Sequence, residues 1–350
     1  MDQKGTPVLS FDYKVALRTA FIVTVAAIAG LAVHADDPWW AGISAFTVAH
    51  ADWSGVFSKS FQRLLGTITG GVLGFMVAYA VRNEPLLQAA VLFALGALAT
   101  YKHLTTSYGY AWLLGIATAL IAMYFSLWDI EQMYERVLDR IFCVCIGVLV
   151  AGLGTYLLAL PKHFRTSTVM VHGDPKTLPY KWIIRMSLCG GSVAVTAPIV
   201  FAGHDLTAMM QIVFTSLVCL SGNITSIRHL AAARFLGCGV GGSLGIFFVM
   251  LGIQSFFLWA ILFFFAMFFL AGWHHNGTRW AYAGTQAGFA FIICAMTTSG
   301  PVASILPVLD RFYGIFIGII LTLVYLALFG IAQGEKLSWL VRREDRFNEK

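Results

Sequence analysis

Two arginines, Arg63 and Arg234, each lead a run of glycines at the same spacing. Gly66, Gly70 and Gly74 follow the first at +3, +7 and +11, and Gly237, Gly241 and Gly245 follow the second in the same way. On a helix this spacing puts one guanidinium and three bare backbone positions on one face. Arginine stays charged and grips carboxylates with a planar fork of donors, so the chemistry on offer is the capture of an anion. A glycine stripe lets a neighbouring helix come close. If the two striped helices touch each other, both arginines face one central pathway from its cytoplasmic end. The plainer reading is a basic membrane anchor beside ordinary helix packing.

A second constellation pairs an acid with a base twice, as Asp139-Arg140 and Asp310-Arg311. Ionisable groups inside a membrane helix are costly and tend to serve function. These four are candidates for gating or proton coupling; a structural salt bridge is the alternative. Arg140 and Gly147 are seven apart, as are Arg311 and Gly318, which places each arginine on the small-residue face of its helix. Arg18 and Arg185 open the first run of each half behind Tyr13 and Tyr180. They offer substrate contact, or snorkel to the membrane interface.

His50, Asp52, Asp37, His204 and Asp205 mark run ends and loops, where the histidines titrate near neutral pH. His274-His275 falls in an expected loop with no further ligand, so no metal site is read there. Trp39, Trp40, Trp128 and Trp259 suit an interfacial belt, or stack on an aromatic substrate. The six cysteines all lie in apolar runs without CxxC spacing; they read as small apolar filler. The chain has no P-loop, GxSxG, HExxH or nucleotide-binding fingerprint. It therefore reads as a non-enzyme with no catalytic residues, no cofactor and no call for nucleic acid.

The elements that must position these residues follow from composition. Of 350 residues, 59% are hydrophobic and 11% charged, whereas a soluble domain is about 45–50% apolar and about 25% charged. A bilayer accommodates that surplus, and the long uniform runs, such as 22–33 and 256–272, favour helices over strands. The N-terminal basic residues and apolar run imitate a secretory signal. The same segment recurs to open the second half, which favours an uncleaved first span.

That recurrence is general. YKVALR (13–18) returns as YKWIIR (180–185), RLLGTITGGVLG (63–74) as RFLGCGVGGSLG (234–245), and VLDRIFCVCIGVL (137–149) as VLDRFYGIFIGII (308–320). The expectation is an all-α polytopic membrane protein of two six-helix repeats, about 12 transmembrane helices. Residues 1–165 form the first repeat, 166–180 a cytoplasmic linker, and 181–350 the second repeat with a short cytoplasmic tail. Run 39–52 is the weakest, a short or re-entrant helix. With both termini in the cytoplasm, 19 of the 23 Lys and Arg residues fall on that side, as cytoplasmic loops require. Six spans per half is an even number, so the repeats are related by a pseudo-two-fold axis along the membrane normal.

The segment 38–75, PWWAGISAFTVAHADWSGVFSKSFQRLLGTITGGVLGF, resembles the signature region of the fusaric acid resistance and aromatic acid exporter family. The basic first span, the Pro-aromatic opening of span 2 and the Arg63, Gly66, Thr67, Gly70 pattern carry the resemblance. The second half keeps Arg234, Gly237 and Gly241, with Cys238 in place of the threonine and Asp205-Leu206 in place of the tryptophans. The resemblance implies secondary-active export of organic anions, aromatic carboxylates above all, across a bacterial inner membrane. A passive organic-anion channel through the same pore is the alternative. The family is similar to the plant aluminium-activated malate transporters, whose six-span subunits pair around a basic pathway. Expected partners are a small organic anion, membrane lipid, and a periplasmic adaptor or a second copy of the chain, although the chain lacks the long cytoplasmic domains of the larger exporters.

Overall fold

A computed structural model describes residues 11–127, 129–158, 178–200, 206–296 and 306–330. Trp128, His204, Asp205, most of the linker (159–177) and the tail (331–350) lie outside the described residues. Every element among the described residues is helical. The order is α1 (Tyr13–Ala32), α2 (Trp39–Val48), α3 (Trp53–Val81), α4 (Pro85–Thr105), α5 (Gly109–Ser126), α6 (Ile130–Leu157), α7 (Tyr180–Val200), α8 (Leu206–Cys219), α9 (Ile224–Met250), α10 (Phe256–His274), α11 (Ala281–Ala295) and α12 (Leu306–Leu328). Nine of these are long and apolar enough to cross a membrane. The chain is a polytopic helical membrane protein.

Local sequence sets the boundaries. Asp12 caps α1 by accepting from the Lys14 and Val15 amides, and Asp129 does the same for α6 at Glu131 and Gln132. Asn223 caps α9 through Ser226, and Ser255 caps α10 through Leu258. Each cap satisfies a helix-end donor that has no backbone partner. Pro85 opens α4, where its missing N–H costs nothing. Gly252 ends the turn after α9 with φ +58°, a conformation that side-chain-bearing residues avoid.

Three helices are too short to span alone. α2, α8 and α11 have 10, 14 and 15 residues. At 1.5 Å per residue, fifteen residues cover about 22 Å, less than the roughly 30 Å hydrocarbon core. These helices lie in the interior together with the spanning helix α5, and α5 and α11 are buried along nearly their whole lengths. The longer helices shield them from lipid. They carry the exposed apolar side chains, for example Phe61, Leu73 and Met76 on α3 and Phe257, Phe265 and Phe269 on α10.

Helix partners recur six elements apart. α3 packs on α5 and α9 on α11; α2 on α6 and α8 on α12; α1 on α6 and α7 on α12. Across the halves, α4 packs on α7 and α10 on α1, while α2 meets α11 and α5 meets α8.

The two glycine stripes do not meet, and the expected α3–α9 seam is replaced by two seams within halves. A Cβ on Gly66 or Gly70 would run into α5 at Ala111 or Gly115, and one on Gly74 into Ala119. Gly237 and Gly241 are filled in the same way by Ala283 and Ala287 of α11, and Gly245 by Cys294. The register advances together along both helices, so each pair is parallel. A stripe accepts whichever parallel helix the chain returns to it, and the nearest one is two elements on.

Candidate functional site

Arg63 and Arg234 lie well inside their helices and not at the first turn. α3 starts at Trp53 and α9 at Ile224, ten residues before each arginine, or about 15 Å along the helix. Arg140 likewise lies ten residues into α6. The side chains of Arg63, Arg140, Arg234 and Arg311 are 3%, 2%, 4% and 4% exposed.

Each half brings two of them together. In the first half, α2 and α5 receive the side chains from α3 and α6. Arg63 donates through Nε to Ser44 Oγ at 3.1 Å and through Nη1 to Tyr110 OH at 3.2 Å. Arg140 donates through Nε to Thr118 Oγ1 at 3.3 Å, and its guanidinium lies over the Trp40 ring at 3.7 Å. Phe214, from α8 of the other half, stands 5.8 Å away. Trp40 is thus a platform for the Arg140 guanidinium. The two charges feel each other's repulsion. The acid whose field reaches Arg140 is Asp37, which is already paired to Arg136 at 2.9 Å.

In the second half, Arg234 donates to Tyr282 OH at 2.9 Å. Arg311 donates to Gln211 Oε1 at 2.7 Å and to Gln286 Oε1 at 3.1 Å. Here too the two arginines repel. Every hydrogen-bond partner described for these four guanidiniums is neutral. Two like charges buried together without a counterion cost several kcal/mol, and an anion between them would relieve that cost.

The reason Arg140 and Arg311 reach inward is the small face of their own helices. Gly147 sits against the Ala41 carbonyl and Ser44, and Gly318 against the Ile212 carbonyl and Thr215. Closer approach of α6 to α2, and of α12 to α8, carries each guanidinium into the interior.

The remaining candidates lie elsewhere. Arg18 is buried and donates to the carbonyls of His50 and Ala51, at 2.6 and 3.0 Å; it holds the turn after α2 and does not snorkel. Arg185 is exposed. Neither joins the arginine pairs. Asp139 accepts the backbone amides of Asp36 and Asp37, both at 3.0 Å, so it is bound to the α1–α2 loop. Asp310 is half-buried.

His274 ends α10 and His275 caps it; both are buried, where an open loop was expected. His274 Nδ1 meets Thr285 Oγ1 at 2.7 Å, and His275 Nε2 meets Thr19 Oγ1 at 3.0 Å. Among the described residues no group of three or more His, Cys, Asp or Glu stands ready for a metal.

Sequence reasoning missed Tyr110, Tyr282, Ser44, Thr118, Gln211 and Gln286. A signal existed for the tyrosines: Tyr110-Ala111 and Tyr282-Ala283 repeat at nearly the same distance from Arg63 and Arg234. The glutamines have no counterpart in the first half, so no repeat could flag them.

Residues 23–154 match the fusaric acid resistance protein-like family. A protein of Salmonella typhimurium named as an uncharacterized transporter, YdhK, is 28% identical over 153 residues, 43% of this chain and 22% of that protein. Its Escherichia coli K12 namesake is 27% identical over 151 residues, 42% of this chain and 22% of its own length. The matched part is thus about a fifth of these relatives. No solved structure matches. The resemblance read in the arginine and glycine spacing is borne out: over residues 23–154, which hold Arg63, Arg140 and their partners, the chain carries the fusaric acid resistance protein-like pattern.

Proposed function

We propose that this protein moves organic anions across a bacterial inner membrane as a secondary-active exporter, with both termini in the cytoplasm. The observation that carries the reading is the pair of buried arginines in each half, held by hydroxyls, amides and rings and left without a carboxylate among their described partners. A pathway that binds an anion needs charge inside the bundle, away from water, and groups that fix that charge without cancelling it. The neutral hydroxyl and amide partners do this. The pathway runs between the halves, beside α2, α5, α8 and α11, and not along an α3–α9 contact. The recurrence of helix partners six elements apart supports a pseudo-two-fold relation between the halves, with its axis along the membrane normal. The relatives named as transporters support the class of activity.

The test is uptake and efflux in liposomes across a panel of aromatic and aliphatic carboxylates at two pH values. Flux that follows an imposed pH gradient is expected; unitary conductance at fixed pH would indicate a channel. Arg63→Ala with Arg234→Ala is expected to abolish flux while the protein still inserts. Normal flux in that double variant would sink the assignment.

A further inference from the structure

We propose that only the first-half arginine pair is an open carboxylate site, and that Gln211 and Gln286 hold the second-half pair shut. This rests on the anion-transport reading above.

The two pairs can be aligned through the glycines. Gly147 abuts the Ala41 carbonyl and Gly318 the Ile212 carbonyl, so Ala41 matches Ile212 and the preceding Trp40 matches Gln211. Gly70 is filled by the Gly115 carbonyl and Gly241 by that of Ala287, so Leu114 matches Gln286. At both points where the second half places an amide, the first half has a side chain that cannot accept.

The consequence shows on the guanidiniums. Arg311 gives Nη1 to one glutamine oxygen and Nη2 to the other. Two oxygens from two helices thus take the two terminal nitrogens, as the two oxygens of a carboxylate would. In the first half the terminal nitrogen Nη1 of Arg140 is buried with no partner. Its plane is stacked on Trp40, its Nε is held by Thr118, and its donors are therefore fixed in direction. A buried charged donor left unmade is costly, and a carboxylate oxygen is what completes it. The second half also has unpartnered atoms, Arg311 Nε, on a guanidinium that also meets the Cys238 thiol, and Arg234 Nε with Thr215 Oγ1. The last two are a donor and an acceptor on the residues equivalent to Arg63 and Ser44, which bond each other in the first half, so a small side-chain shift and not an anion would complete them.

The two glutamines are therefore specificity determinants. They set the number of substrate sites at one per chain, an organic carboxylate held by Arg140 and Arg63.

The test is calorimetric titration of the detergent-purified full-length chain with benzoate. One benzoate per chain is expected. Trp40→Gln with Leu114→Gln copies the second half into the first and should weaken binding about tenfold or more, the worth of a charge-assisted hydrogen bond that the substrate no longer makes. Gln211→Trp with Gln286→Leu does the reverse and should raise the count to two. Two equal sites in the unaltered chain would overturn the proposal, as would loss of all binding in Arg311→Gln with retention in Arg140→Gln. Because a swap can fail to fold, a second readout uses the unaltered chain. Phenylglyoxal should modify Arg140 in a benzoate-protected manner and spare Arg311, as mapped by mass spectrometry; the opposite pattern overturns the proposal. Absence of binding by benzoate and the whole acid panel would instead remove the transport reading, and the inequality with it.

Discussion

Asp139 holds a loop in place beside its neighbour Asp37. The Asp139 carboxylate binds the amides of Asp36 and Asp37, and Asp37 in turn binds Arg136. Burial raises the Asp37 carboxyl to about 6, against the pull of Arg136. A folded-state value above the unfolded one means that the folded protein holds this proton more tightly. The stability contributed by Asp37 is therefore greatest below pH about 4, falls as pH rises to about 6, and is flat above. Melting temperatures of the unaltered chain and Asp37→Asn, taken from pH 4.5 to 7.5, should differ in slope up to about pH 6 and run parallel beyond it. Parallel curves throughout would assign the titration elsewhere. Arg18 and Arg185 give a second contrast. Arg18→Ala strips two buried carbonyls of their donor, which should cost about 1–3 kcal/mol. Arg185→Ala, at an exposed position, should stay within about 0.5 kcal/mol. Equal effects in thermal unfolding would mean that Arg18 is not fixing the turn after α2.

At the scale of the helix, two glycines on α9 separate packing from mere flexibility. A Cβ at Gly241 would strike the Ala287 carbonyl, whereas nothing lies within 4 Å of one at Gly239. Gly241→Ala should force α9 from α11 and cost about 1–3 kcal/mol. Gly239→Ala should be neutral or slightly stabilising, because it stiffens the unfolded chain. Unfolding in mixed micelles compares the two, and equal outcomes would deny the seam. The stripe itself was legible, because spacing of three and four is a property of the helix alone. Its partner was not, because a bare face fits α5 as well as α9 and only chain connectivity decides between them. The start of α3 was misread for a different reason. The polar turn of α3, residues 53–62, reads as loop by hydropathy, yet its backbone bonds are made within the helix. Arg140 and Arg311 were found as ionisable residues in apolar runs. Their partners Thr118, Gln211 and Gln286 are ordinary in type and far away in sequence, and carry no local signal.

The whole molecule is held across its middle by contacts that neither half can make alone. α4 lies on α7, with Gly96 against the Gly190 carbonyl, and α1 lies on α10. Tyr124 of α5 donates to the Ala194 carbonyl of α7 at 2.9 Å, fully buried. Phe214 of α8 reaches the Arg140 guanidinium of the other half. A half expressed alone would present α4 and α1 with their packing faces bare, and would leave the Tyr124 hydroxyl unpaired in an apolar setting. Chains 1–165 and 166–350, expressed together as separate polypeptides, should therefore co-purify and recover carboxylate flux, because the contacts and not the connection bring the halves together. Each chain alone should give neither a monodisperse particle nor flux. Flux from 1–165 alone would mean that the first half pairs with a second copy of itself, so that α4 and α1 find equivalent partners there. That result would move the open arginine site of this chain into a symmetric dimer with two such sites.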